Sequence, residues 1–128
     1  MYLSMRLFVR FFFFALLFAA VGIVSAHHAL TVLFDTSTTV DIAGEVTEFE
    51  FVAPHSYIHL SVTDRTGERS AWQIETYPPG MLIRKGLIPD TLRSGDWISV
   101  RGYPTRDGRP LMRLLIITLP NGEERQIQ

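Results

Sequence analysis

The sequence predicts a mainly β fold, a small closed barrel of five strands with a short helical segment between strands three and four. Three observations carry this expectation. Apolar residues alternate with polar ones through most of the chain after residue 40, which is the period of a half-buried strand rather than a helix. One proline-led helix signal interrupts them, in "PPGMLIRKG". Glycine-centred turns then separate the remaining runs at the spacing of short strands.

The elements follow in order. "VDIAGEVTEFEFV" alternates Val40, Ile42, Gly44 and Val46, and then its apolar positions change parity to Phe49 and Phe51. A one-residue change of parity near a glycine marks a β-bulge, which lets one long strand bend and serve two faces of a barrel. "HSYIHLSV" sets Ile58, Leu60 and Val62 against His55, Tyr57, His59 and Ser61, and "SAWQIETY" sets Trp72 and Ile74 against Gln73 and Glu75. Between them, Arg65-Thr66-Gly67 fits a three-residue hairpin loop closed by a left-handed glycine. Pairing Asp64 with Glu68 then puts Leu60 opposite Trp72, Ile58 opposite Ile74, His59 opposite Gln73 and Tyr57 opposite Glu75. A one-residue slip would place isoleucine opposite glutamate, so the register is determined. In "PPGMLIRKG" the prolines suit a first helical turn, basic residues its last turn and Gly86 its stop. "PDTLRSGD" reads as a further helical turn ending at Gly95, and "DWISVRGY" and "LMRLLIITL" as two strands joined around Arg106-Asp107-Gly108. Three strands, a helical segment and two strands is the element order of the OB-type barrel; an open antiparallel sheet capped by the same helix is the alternative.

Residues 1–26 read as a secretory signal and are set apart from the domain, residues 27–128. Arg6 and Arg10 precede the uninterrupted apolar run "FFFFALLFAAVGIV", and Val24-Ser25-Ala26 supplies small residues for cleavage. That run of 14 residues falls short of the roughly 20 of a spanning helix. The expected location is therefore the periplasm or the outside of the cell, with no membrane span after cleavage. Without Arg6 and Arg10 the twelve basic residues fall to ten against thirteen acidic, a net charge of −3. A nucleic-acid groove carries a basic excess, so no nucleic-acid partner is expected. The chain has no cysteine, so its small core must be held by packing, a metal or a partner.

A set of short motifs spans the whole mature chain: His27-His28, Phe34-Asp35, Gly44-Glu45-Val46, Pro54-His55, Trp72 to Glu75, Gly95-Asp96 and Thr118-Leu119-Pro120-Asn121-Gly122. This pattern resembles a family of small exported bacterial proteins known only as a domain of unknown function. Ala53 departs from it, because the family motif before Pro54-His55 carries asparagine. The resemblance implies a bacterial exported protein and brings no activity with it.

All four histidines lie at positions 27, 28, 55 and 59. Cleavage after Ala26 makes His27 the first residue, and its α-amine and ring nitrogen together chelate one metal. Such donors suit Cu(II), Ni(II) and Zn(II), with copper the strongest. The candidate metal site is His27, His28, His55 and Glu75, with copper favoured and zinc, or no metal, as the alternatives. Its ligand type is similar to the histidine brace of secreted copper monooxygenases and of some periplasmic copper carriers. Two histidines four residues apart on one extended strand lie about 13 Å apart, so His55 and His59 share an ion only if the strand is bulged or His55 sits in the loop after Pro54. The competing readings are a solvated start for His27 and His28, a loop residue capping a backbone group for His55, and hydrogen-bonded or exposed strand residues for Glu75 and His59. Tyr57, His59 and Gln73 are candidates for a metal-independent ligand or protein face, on the side of strands two and three that OB-type barrels use. Trp97 and Tyr103 could extend that face. No catalytic residue is assigned: there is no nucleophile elbow, no cysteine and no carboxylate pair on one element.

Protein exported through its own signal is expected to show an intact mass beginning at His27. A mass beginning elsewhere would remove the α-amine from any metal site.

Overall fold

The computed structural model describes residues 30–128; His27 and His28 lie outside the described residues. Residues 30–33 are helical. Residues 34–128 form one compact unit, and within it the elements are β1 (Val40–Glu50), β2 (Tyr57–Thr63), β3 (Arg69–Glu75), α1 (Pro79–Arg84), a 3₁₀ turn (Pro89–Thr91), β4 (Trp97–Pro104), β5 (Leu111–Thr118) and β6 (Glu124–Gln126). The sheet runs β3-β2-β1-β4-β5-β6, and a parallel pairing of β3 with β5 closes the first five strands into a barrel. This is the OB-type arrangement, with the helix between strands three and four.

The bulge in β1 falls between Val46 and Glu48, leaving Thr47 as the extra residue. Before it, Val40 to Glu45 pair with β4; after it, Glu48 to Glu50 pair with β2. Glu45 and Val46 are where the strand changes partners, because Glu45 pairs with both Trp97 and Ser61. Gly44 sits at this bend, where a Cβ would come within 2.6 Å of the Ser61 carbonyl oxygen. The β2–β3 hairpin has the predicted register throughout, from Tyr57 opposite Glu75 to Thr63 opposite Arg69. Its loop is tied by the Asp64 carboxylate, which accepts from the Thr66 hydroxyl and from the amides of Thr66 and Glu68. Gly67 takes the left-handed φ of 88° that the loop needs. The Thr66 hydrogen bonds above all hold the Asp64 carboxyl below its ordinary pKa.

Inward residues of all five barrel strands make the core, among them Val46, Ile58, Leu60, Ile74, Val100, Met112 and Leu114. Leu82 of α1 and Leu87 and Leu92 beyond it join the same cluster, so the helical segment packs on the barrel interior through one leucine per turn or link. Pro79 opens α1 and Gly86, at φ 77°, ends it.

One strand was not expected. β6 pairs with Ile116 to Thr118 of β5, on the edge that β3 occupies only as far as Arg113. The Leu119–Glu123 turn, with Gly122 at φ 84°, returns the chain, and Ile127 then buries its side chain in the core. Arg125 donates to the Gly86 carbonyl and so ties β6 to the end of the helical segment.

Gly44→Ala is expected to destabilise the domain by about 1–3 kcal/mol, because the new methyl must displace the Ser61 backbone. Gly80→Ala, where a Cβ meets nothing within 4 Å, should be neutral or stabilising by up to about 1 kcal/mol through helix propensity. Urea denaturation of the two variants separates these outcomes.

Candidate ligand-binding face

The register fixes two rows of outward residues across the barrel wall. One runs Glu50, Tyr57, Glu75, Arg113 and Tyr103 across β1, β2, β3, β5 and β4. The next runs Glu48, His59, Gln73 and Leu111 across β1, β2, β3 and β5. Tyr57, His59, Gln73 and Glu75 thus share one face, as the alternation predicts.

At the closing seam, Arg113 Nη1 donates to Glu75 Oε1 at 2.7 Å and to the Thr76 carbonyl at 3.2 Å. Its guanidinium carbon lies 4.5 Å from the centre of the Tyr77 ring, a cation–π distance. Both side chains are nearly buried, at 9% exposure for Arg113 and 12% for Glu75. His55 Nδ1 approaches the same Glu75 Oε1 at 3.1 Å from the β1–β2 loop. Backbone hydrogen bonds place that loop: Ser56 N donates to the Tyr77 carbonyl, Thr76 N donates to the Ser56 carbonyl, and the Ser56 hydroxyl donates to the Val52 carbonyl. The Ala53–Pro54 peptide before His55 is cis.

His55 therefore belongs to the loop and not to β2, and its Nδ1 lies beside Glu75. This changes the part of Glu75. A carboxylate already held by a guanidinium is a poor ligand for a second cation. Lying 3.1 Å from an imidazole nitrogen, it stands instead where the orienting group behind a ligating histidine stands. The pairing uses Nδ1 of His55 and leaves Nε2 as its remaining ring nitrogen. Among the described residues no group of three or more histidines and carboxylates could hold a metal ion. His59 is paired elsewhere, its Nε2 lying 3.3 Å from Glu50 Oε2. Trp97 does not join the face: it lies opposite Glu45, six residues along β4 from Tyr103, roughly 20 Å at strand rise.

A groove of about 570 Å³ lies on this face. Thr47 and Glu48 line it from the bulge of β1, His59 and Ser61 from β2, and Arg69, Ala71 and Gln73 from β3. The β1 bulge and the short side chains of Ser61 and Ala71 make the concavity. The groove's one aromatic, Trp72, packs against the core.

Arg113 was not among the residues singled out by the sequence. A signal was present, since it is the one charge inside the apolar run "LMRLLIITL", and a lone arginine there needs a buried partner. Arg69 and Glu48 carried no such signal; strand curvature alone brings them to one groove.

Comparison with known proteins agrees with this architecture. Residues 15–111 match the family described as "Family of unknown function (DUF6152)". No curated protein matches the sequence. The mitochondrial single-stranded DNA-binding protein Rim1 of S. cerevisiae is similar in fold: one crystal form gives a TM-score of 0.50 at 12% identity, covering 64% of this chain and 91% of Rim1. Another gives 0.49 at 14% identity, covering 64% and 92%. TiaS, in a complex with a transfer RNA and ATP, gives 0.45 at 17% identity, with 67% of this chain matching 19% of TiaS.

Burial raises the Tyr57 phenol above its ordinary pKa of 10.0, and the Glu75 and Glu50 charges push the same way. As pH rises past 10 the unfolded chain ionises first, so this contribution is full below 10 and is lost through the folded value. The alkaline loss of stability should accordingly be smaller in Tyr57→Phe, read from urea midpoints at pH 9 and 11. Glu75→Ala should cost about 3–5 kcal/mol, because it strands a buried guanidinium. Arg113→Met should cost less, because Glu75 keeps His55 as a partner. A double-mutant cycle in urea measures the coupling.

Proposed function

This chain belongs to the family of unknown function that matches it over residues 15–111, and from that premise we propose that it is an exported binding module that takes its ligand on the outer face of β1, β2 and β3. The observation that carries the reading is the groove on that face. Its volume lies within the range of about 300–1,000 Å³ usual for ligand sites, and it sits on the strand-two and strand-three side that OB-type barrels use. Gln73, Ser61 and Arg69 line it with polar groups that make no side-chain hydrogen bond or ion pair among the described residues. Export rests on the charged, apolar and small-residue order of residues 1–26.

Rim1 is a single-stranded DNA-binding protein and TiaS forms a complex with a transfer RNA, and nucleic-acid binding does not transfer easily to this face. A single-strand site combines a positively charged groove with aromatic stacking. This groove sets one arginine against Glu48, and its one aromatic packs against the core. The domain after residue 26 is acidic overall.

A second reading, metal binding, is favoured by the approach of Glu75 Oε1 to 3.1 Å from His55 Nδ1, the position of the carboxylate that stands behind a ligating histidine. In that reading His55 joins His27 and His28, copper is preferred to zinc, and Glu75 orients instead of ligating.

Filling the groove tests the first reading. Ala71→Trp places an indole on an exposed groove position and should abolish capture of a periplasmic ligand or partner, with the urea midpoint unchanged and with EDTA having no effect. If EDTA abolishes capture while Ala71→Trp does not, the metal reading replaces it. Copper uptake by native mass spectrometry that is lost in His55→Ala would likewise favour the metal reading.

A further inference from the structure

The groove carries opposite charges on its two sides. Glu48 lines it from β1 and Arg69 from the start of β3. Neither side chain has a hydrogen bond or ion-pair partner among the described residues. Several other charged strand residues are paired: Arg113 is bound to Glu75, Arg101 to Asp41, Arg125 to Glu123, and Glu50 to His59. Two uncompensated charges of opposite sign thus share one concavity, with the short or neutral side chains of Ser61, Ala71 and Gln73 between them.

Their separation follows from the register. Glu48, His59 and Gln73 occupy one row over three strands, and Arg69 lies four residues before Gln73 on β3. With strands about 4.8 Å apart and a rise of about 3.3 Å per residue, the two Cα atoms are roughly 16 Å apart. An extended chain of four residues spans at most about 14 Å, and long side chains at its ends and in the groove close the remainder.

We propose that the groove binds a short extended peptide segment carrying a cationic and an anionic side chain about three residues apart, the cation against Glu48 and the carboxylate against Arg69. The proposal rests on the groove reading above and adds the chemistry of the ligand. A ligand of a single sign would meet one repelling wall, which disfavours both a phosphate backbone and a purely basic peptide.

The test uses the exported protein, ¹⁵N-labelled at low ionic strength, and the capped probe acetyl-Lys-Ala-Ala-Glu-amide. Capped Lys-Ala-Ala-Lys, capped Glu-Ala-Ala-Glu and hexathymidylate are the comparisons. The dipolar peptide should shift the amides of Ser61 and Ala71 and bind more tightly than the other three. Exposed charges act weakly, so Glu48→Ala and Arg69→Ala should each raise its Kd about 2- to 5-fold. The charge reversals Glu48→Arg and Arg69→Glu should each weaken binding further, and the double reversal should restore it, because the peptide can turn end for end. Restoration is a result that damage to the fold cannot produce. Equal or tighter binding of hexathymidylate or of a single-sign peptide to the same amides would overturn the proposal while leaving the groove as the site. Failure of the double reversal to restore binding, or no shift at Ser61 and Ala71 with the dipolar peptide, would also overturn it. The groove reading is decided separately, by Ala71→Trp.

Discussion

The barrel closes through only three parallel residue pairs, Gln73 with Leu111, Ile74 with Met112 and Glu75 with Arg113. Parallel ladders are slightly weaker per residue than antiparallel ones, and so short a ladder needs something more to fix its register. The Glu75–Arg113 ion pair supplies it. Arg113 stands between Met112 and Leu114, both completely buried in the interior. A slip of one residue would turn the guanidinium into the apolar core, where an unpaired charge is prohibitively costly. The pair therefore discriminates one closure from the neighbouring ones even where its desolvation offsets much of its attraction.

The rest of the face is built on that seam. Glu75 anchors His55, and the backbone bonds of Ser56 to Tyr77 and Thr76 hold the β1–β2 loop against the end of β3. The same register lines up Glu50, Tyr57 and Glu75, whose charges and burial act on the Tyr57 phenol. One row further along, it sets Glu48, His59 and Gln73 side by side at the edge of the groove. The β1 bulge at Thr47 works with the seam, since it bends the strand so that β1 serves β4 with one half and β2 with the other.

Much of the architecture was legible in the chain because its signals are local. The parity change after Val46 marks the bulge, Arg65-Thr66-Gly67 marks the hairpin and its register, and Pro79 and Gly86 bracket the helix. β6 was not legible: three polar residues have no alternation, and they become a strand only because β5 offers an edge that β3 leaves free. The face was half legible. Tyr57, His59, Gln73 and Glu75 follow from period two once the hairpin register is known. The pairing of His55 with Glu75 depends on a loop whose path is set by long-range backbone bonds, and spacing along the chain cannot show it.

By itself the sequence determined the order of the five barrel strands and the helix along the chain, the hairpin register, the bulge, the glycine-ended turns and which side chains point outward. All of these depend on residues within a few positions of one another, through steric limits on φ and the two-residue period of a strand. Only the tertiary structure decided how the barrel closes, that Arg113 claims Glu75, that His55 reaches the same carboxylate, and that Glu48 and Arg69 line one groove. Those partners are 38, 20 and 21 residues apart in the chain. They meet because strand curvature and a three-residue seam bring them together, and no local pattern of residues encodes that closure.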